Sequence, residues 1–218
     1  MKLLSTSKTP SLDSLYQAVL TGDTEKARKH AEIIVKEKIS PNLALEKMKK
    51  ALAAADAKFM QKEYVSADVA ASFNAMQCAL KILEPHLEVK PAGFGGKIVI
   101  GTLKGNLHGL GKDIVAAALR SAGFHVVDLG VDVSPEAFIT AIEREKAQVA
   151  AVSVSVVDTL PFLKELVDLS NQKNLRNKTR FVIGGRAVSN AIAKKYGIDA
   201  YVKDEWDCVK QVTKLLPR

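Results

Sequence analysis

A single histidine lies among glycines in the segment from Lys104 to Gly111, where its imidazole could hold a metal ion. The segment reads Lys-Gly-Asn-Leu-His-Gly-Leu-Gly, and His108 is its only titratable side chain besides the lysine. Three interpretations are open. The glycines could simply turn the chain into a helix, leaving His108 as a surface residue. A phosphate-binding loop is disfavoured, because Gly-x-Gly-x-x-Gly spacing and a Gly-Lys-Ser or Gly-Lys-Thr ending are missing. The third interpretation is a metal ligand on an extended loop.

The elements around this segment follow the pattern of a parallel sheet, in which short apolar runs alternate with amphipathic helices. The sequence predicts five strands, at Lys97 to Leu103, Phe124 to Leu129, Val149 to Ser155, Arg180 to Ile183 and Ala200 to Val202. It predicts five helices, at Lys112 to Ser121, Pro135 to Glu145, Leu160 to Asn174, Ala187 to Tyr196 and Asp204 to Leu215. Such doubly wound sheets bind ligands outside the carboxyl ends of their strands. We therefore expect the chemistry in the loops after the first, third and fourth strands.

The chain before this sheet has helical periodicity from Ser11 to about Leu87 and no convincing strand. This pattern predicts a helical bundle. Residues His86 to Gly96 contain Pro and Gly, break the periodicity and are interpreted as a linker. We predict a helical cap domain over residues 1–90 and an α/β domain over residues 91–218.

Composition limits the classes of protein to which the chain can belong. With 218 residues, 47% hydrophobic and 26% charged, it is typical of a globular protein, and no apolar run approaches a membrane span. No secretory core follows Met1, so we expect a cytoplasmic protein. The net charge of +8 is spread over helix faces, which predicts no nucleic-acid partner. Cys78 and Cys208 are interpreted as buried packing residues.

Three short motifs, in order, resemble the cobalamin-binding domains of methionine synthase and of corrinoid proteins in anaerobic methyl-transfer systems. The family's Asp-x-His-x-x-Gly is matched from Asn106 to Gly111, with asparagine for aspartate. Its Ser-x-Leu falls at Ser153 to Ser155, with serine for leucine, and its Gly-Gly is Gly184-Gly185. Upstream, Asp56 to Leu87 is similar to the family's helical cap. The resemblance thus implies a helical bundle cap followed by a Rossmann-like, doubly wound five-stranded parallel sheet that binds a cobalamin or related corrinoid.

The resemblance also implies roles for individual residues. His108 is expected to be the lower axial ligand of cobalt, and Asn106 its uncharged hydrogen-bond acceptor, which makes His108 a weaker donor than an aspartate would. Thr159 is expected to complete this relay, unless it only caps a helix. Ser153 and Gly184-Gly185 are expected to receive the nucleotide tail, although these residues taken alone are better explained by a satisfied strand hydroxyl and a strand-ending turn. The expected cofactor-binding residues are Asn106, Leu107, His108, Gly109, Leu110, Gly111, Ser153, Ser155, Val157, Thr159, Gly184 and Gly185.

The helical domain is expected to cover the upper face of the cobalt. The candidates for this shielding are Met60, Tyr64, Val65 and Val69, with bundle packing as the alternative. No residue is expected to be catalytic, since no separate nucleophile or carboxylate pair is evident.

The expected function is therefore that of a non-catalytic corrinoid subunit. It carries methyl groups on cobalt between a substrate-specific and an acceptor methyltransferase, with a reductive activase as a further partner. A cobalamin-responsive sensor is the alternative. A degenerate fold that no longer binds cobalamin is a third possibility, which the retention of His108, Thr159 and Gly184-Gly185 disfavours.

Overall fold

The computed structural model of the protein describes residues 9–88 and 95–216. The chain divides into two compact units, Met1–Glu88 and Val89–Arg218. The expected boundary between residues 90 and 91 lies in the segment 89–94, outside the described residues. No helix of the described ranges combines the length and the apolar character needed to span a membrane.

The first unit consists of helices, as its periodicity predicts. They are α1 Thr9–Leu20, α2 Thr24–Lys36, α3 Pro41–Met60 and α4 Ser66–Leu83, followed by a short 3-10 turn at Glu84–His86. Their apolar faces meet in a core that contains the fully buried Leu15, Ile34, Met48 and Met76. The turn between α1 and α2 requires glycine, because Gly22 has a φ of +72° and a Cβ there would lie 2.4 Å from the Cβ of Ala71.

The second unit is the predicted α/β domain. Its strands are β1 Lys97–Thr102, β2 His125–Asp128, β3 Val149–Ser153, β4 Arg180–Gly184 and β5 Ala200–Val202. Its helices are α5 Leu110–Ser121, α6 Pro135–Glu145, α7 Leu160–Gln172, α8 Asn190–Lys195 and α9 Glu205–Leu215. All strand pairs are parallel and the order is β2-β1-β3-β4-β5. Buried apolar clusters lie on both faces of the sheet, which confirms the doubly wound arrangement.

Several element ends differ from the prediction. The third strand ends at Ser153, so Ser155 lies in the following loop. Helix α5 begins at Leu110, so Leu110 and Gly111 belong to its first turn and the loop that carries His108 is shorter than expected. Helix α8 begins only at Asn190, because the Ser189 side chain accepts a hydrogen bond from the backbone N–H of Ile192 and caps it there.

The two cysteines are packed differently. Cys208 is buried, as expected, and burial, with Asp207 and Asp204 nearby, raises the pKa of its thiol to about 12. Cys78 is only half-buried, which corrects the interpretation of both as buried residues.

Candidate functional site

The three motifs meet at the carboxyl edge of the sheet. The register places Thr102, Ser153 and Gly184 side by side at the ends of β1, β3 and β4. The chain leaves β1 toward β2 on one side and later enters β3 on the other side, so the loops after β1 and β3 flank the topological switch point. These two loops carry Asn106, His108 and Thr159.

Asn106 is completely buried in this crevice and connects the two loops. Its Oδ1 accepts the backbone N–H of His108 at 3.0 Å. Because an N–H donor must face the oxygen, the other end of the amide is the NH2 group, and it donates to the carbonyl of Ser153 at 3.4 Å. An aspartate has no such donor when ionised. Asparagine at this position therefore suits both of its neighbours.

His108 is exposed, and its Nδ1 lies 3.3 Å from Oδ1 of Asn106. Since this oxygen only accepts hydrogen bonds, the contact requires hydrogen on Nδ1, which leaves the lone pair of a neutral imidazole on Nε2. The ring makes no other hydrogen bond within residues 9–88 and 95–216. A histidine with one nitrogen fixed by an acceptor and the other available for a metal is the usual arrangement of a metal ligand.

Exposed apolar side chains lie in the loops at the same edge of the sheet as this histidine. Leu107 is 71% exposed, Val157 65% and Val131 40%. They belong to the loops after β1, β3 and β2, respectively, and all large exposed hydrophobic side chains described in the α/β unit are among these three. Exposed apolar groups near an exposed imidazole suit a large flat cofactor whose central metal the imidazole would ligate.

Metal ligands are otherwise scarce. In the described residues, no three His, Cys, Asp or Glu side chains are grouped so that they could hold a metal ion by themselves. A corrinoid brings its own equatorial nitrogen donors to cobalt and needs a single protein ligand. The residues present therefore fit a corrinoid and do not fit a bare metal ion.

Thr159 has a different hydrogen bond from the one expected. It is buried, and a Cβ at Gly105 would lie 3.4 Å from its Cγ2, so it lies beside the His108 loop. Its hydroxyl, however, donates to the carbonyl of Val156 at 2.7 Å, and neither the relay to Asn106 nor a side-chain helix cap is present. Ser153 and Ser155 are half-buried at the same edge.

The glycines of the site differ in the space that a Cβ would have at each position. A Cβ at Gly185 would lie 2.3 Å from the backbone oxygen of Val154, and φ is +118°. A Cβ at Gly184 would lie 3.0 Å from Cγ2 of Val202. The protein's own packing and backbone conformation thus require glycine at position 185, whereas a Cβ at Gly184 would only be tightly confined. The contact of both glycines with a nucleotide tail stays a prediction. Gly111, by contrast, has open space at its Cβ position.

The candidate shielding residues lie in the helical unit. Met60 is 80% exposed and Val65 63% exposed, while Val69 is half-buried. Packing in the bundle therefore does not explain Met60 or Val65. Their contact with a cofactor stays a prediction.

The loop after β2 was missing from the expected site. It contributes Val131, whose Cγ1 would lie 2.8 Å from a Cβ at Gly109, and Asp132, whose carboxylate accepts the backbone N–H of Gly105 at 2.7 Å. The sequence contained a signal, since Gly130 to Asp132 follow a predicted strand directly. Considering all strand ends, and not only the first, third and fourth, would have found them.

Comparison with known proteins identifies the family of the chain. A family model described as the B12 binding domain matches residues 96–207. A corrinoid protein of Desulfitobacterium hafniense is 31% identical over 209 residues, which cover 94% of this chain and 97% of the relative. The trimethylamine corrinoid protein 1 of Methanosarcina acetivorans is 30% identical over 213 residues, covering 96% of this chain and 99% of the relative.

A solved structure has a similar fold. The monomethylamine corrinoid protein of Methanosarcina barkeri superposes with a TM-score of 0.85 at 22% identity, covering 96% of this chain and 100% of that protein. At this identity the likeness supports the architecture, a helical region followed by a Rossmann-like five-stranded sheet.

Proposed function

The chain belongs to the B12-binding family and its cofactor is a cobalamin or related corrinoid, and from this premise we propose that it carries methyl groups between two methyltransferases. The observation that supports the proposal most directly is His108, exposed and held at Nδ1 by Asn106. Because its Nε2 makes no hydrogen bond among the described residues, this side chain would provide a ligand to cobalt.

The protein's own residues would bind and orient the cofactor. Leu107, Val131 and Val157 would cover the apolar edge of the macrocycle, since each is exposed in a loop at the same edge of the sheet as His108. Asn106 would keep the hydrogen on Nδ1, so that Nε2 retains its lone pair for cobalt. When bound, a corrinoid supplies a cobalt centre that accepts a methyl group from a donor and releases it to an acceptor.

The partners follow from this role. A substrate-specific methyltransferase would transfer a methyl group to the bound cobalt, and an acceptor methyltransferase would remove it. A reductive activase would reduce cobalt that has become oxidised and inactive. The relatives named for trimethylamine and monomethylamine support a methylamine as the first donor to test. No nucleophile of this chain is needed for transfer, so it would act as a non-catalytic subunit.

Ligation is tested by reconstitution. The protein is mixed with hydroxocobalamin and desalted, and its visible spectrum is recorded beside that of His108→Ala. The parent should retain the corrinoid with a histidine-bound spectrum, and the variant should lose that spectrum while its circular dichroism is unchanged. His125→Ala, which removes the exposed histidine at the start of β2, is the matched control. Identical spectra for the parent and His108→Ala would contradict the proposal.

Transfer is tested with the loaded protein. It is reduced and incubated with a methylamine, methanol or an aryl methyl ether, each with a methyltransferase specific for that donor. One pair should convert the spectrum to that of the methylated corrinoid, and an acceptor methyltransferase should reverse it. If no pair does so, while light or ligand state changes the protein's association, the sensor function is favoured instead.

A further inference from the structure

The last residue of β2 and the turn that follows it, together residues 128–133, run along the loop that carries His108. Leu103 and Val133 form a parallel bridge. The N–H of Lys104 donates to the carbonyl of Val133 at 2.8 Å, and the N–H of Val133 donates to the carbonyl of Thr102 at 2.9 Å. The beginning of the His108 loop is therefore paired with this turn much as one strand is paired with another.

Asp132 makes three of the polar contacts between this turn and the start of the His108 loop. Its carboxylate accepts the N–H of Gly105 at 2.7 Å, and its own N–H lies 3.2 Å from the carbonyl of Asn106 and 3.0 Å from Oγ1 of Thr102. The hydroxyl of Thr102 donates to the same carbonyl of Asn106. Asp132 thus binds the two residues that immediately precede Leu107 and His108.

The backbone of Asp132 is adapted to these contacts. Its φ is +58°, a left-handed conformation that Asp and Asn tolerate better than most residues. A hydrogen bond from an N–H to a charged carboxylate is also stronger than one between neutral groups. Asp132 therefore binds adjacent residues of one loop through both its backbone N–H and its carboxylate.

The end of the His108 loop is fixed to the same turn. Lys112, buried in the first turn of α5, forms ion pairs with Asp128 at 2.5 Å and with Asp113 at 2.6 Å. The second oxygen of Asp128 accepts the N–H of Gly130 at 2.8 Å. Val131 also packs against Gly109, leaving no room there for a Cβ. Both ends of the loop are thus held by residues 128–133.

We propose that Asp132 is a positioning residue for the cobalt ligand, which acts by fixing Gly105 and Asn106 so that the imidazole of His108 is presented in one orientation. Gly105 and Gly109 make this loop costly to order, since each gives up more conformational freedom than other residues. The proposal rests on ligation by His108. Without this support, the free energy that favours cobalt-bound over cobalt-free histidine would be smaller. The two states would then be more equally populated.

The test uses protein labelled with nitrogen-15 histidine, reconstituted with hydroxocobalamin and reduced to cobalt(II). In the electron paramagnetic resonance spectrum, a histidine-15 nitrogen ligand splits the cobalt lines into doublets, whereas the unlabelled benzimidazole of the cofactor gives triplets. The ratio of histidine-bound to histidine-free cobalt is read from these patterns. This measurement reports coordination and does not depend on methyl-transfer activity.

Two substitutions separate the carboxylate from the backbone. Asp132→Gly removes the acceptor of the Gly105 N–H and tolerates the positive φ, so we expect the histidine-bound ratio to fall on the order of 10-fold. Asp132→Asn keeps an acceptor oxygen and the tolerance of this φ, so its ratio should stay close to that of the parent. Asp168→Ala, which removes an exposed carboxylate paired with Lys164 on α7, is the control and should match the parent.

The outcomes distinguish this proposal from the proposed function. No doublet in the parent would contradict ligation by His108 itself. A doublet in the parent that is equally strong in Asp132→Gly would overturn the positioning role alone. If Asp132→Gly does not fold, Asp132→Asn decides: a ratio reduced as strongly as 10-fold despite the retained acceptor would contradict the proposal, and a ratio near the parent's would support it.

Discussion

The loops after β1 and β4 lie on one edge of the sheet and both contain functional motifs, yet they are held in different ways. In the β1 loop, polar contacts dominate: the Asn106 side chain joins His108 to Ser153, and Asp132 holds Gly105. In the β4 loop, the chain is held by close backbone approach, since Gly185 lies against Val154. The first arrangement leaves an imidazole exposed and oriented. The second leaves no room for a side chain.

This difference shows that motif residues at one site need not share one purpose. The contacts of the β1 loop hold His108 in an exposed position, whereas the glycines of the β4 loop are constrained by packing within the protein. Substitutions in the β4 loop should therefore change stability first, and substitutions of exposed residues near His108 should change cofactor affinity first.

The largest effect on stability is expected from Gly185→Ala. The new Cβ would meet the Val154 oxygen at 2.3 Å in a backbone with φ +118°, so the free energy of unfolding should fall by about 3–5 kcal/mol. Urea denaturation of the corrinoid-free protein measures this change. Gly184→Ala, with a less severe contact at 3.0 Å and no positive φ, is the paired variant and should lose less. Equal, small losses would mean that the β4 loop relaxes easily.

Asn106→Asp should have the next largest effect. The carboxylate would replace the N–H donor to the Ser153 carbonyl in a completely buried position, which costs about 2 kcal/mol of unfolding free energy at neutral pH. Restoring the family's residue is thus expected to weaken the protein without its cofactor.

Asn42→Asp is the matched control for this substitution. Asn42 also donates to a carbonyl and accepts an N–H, both of Glu88, at 2.8 and 2.9 Å, but these bonds are exposed. Water can replace the lost bond there, so the loss should be well under half as large. A parent-like unfolding midpoint for Asn106→Asp would show that the Ser153 contact contributes little.

The sequence predicted the sheet well and the site only in part, for physical reasons. Apolar runs such as Ile98 to Ile100 are buried on both faces of the sheet, so their positions can be recognised from periodicity alone. The position of His108 at a strand end follows from the same pattern. The partner of the Asn106 amide could not be predicted, because it depends on how β1 and β3 are aligned. The role of Asp132 depends on a left-handed residue reaching across two loops, which leaves no periodic signal.

Exposed apolar residues beside His108 should affect affinity and not stability. Leu107→Ser and Val157→Ser each remove apolar surface that would contact the corrinoid, and we expect about tenfold weaker binding for each, from roughly half of a full side-chain burial. Equilibrium titration with hydroxocobalamin measures the dissociation constant. Leu43→Ser, at an exposed apolar position on α3, should leave it unchanged. If all three variants bind hydroxocobalamin as tightly as the parent does, Leu107 and Val157 are not part of the binding site.

Gly111→Ala should produce the smallest effect on stability, and its sign is opposite to that of Gly185→Ala. Gly111 lies in the first turn of α5 with open space around the position of a Cβ, so alanine should stabilise the corrinoid-free protein by up to about 1 kcal/mol. If the corrinoid approaches this backbone closely, the same variant should bind it more weakly. Higher stability with reduced affinity would show that Gly111 is kept for the cofactor, whereas higher stability with unchanged affinity would place the cofactor away from it.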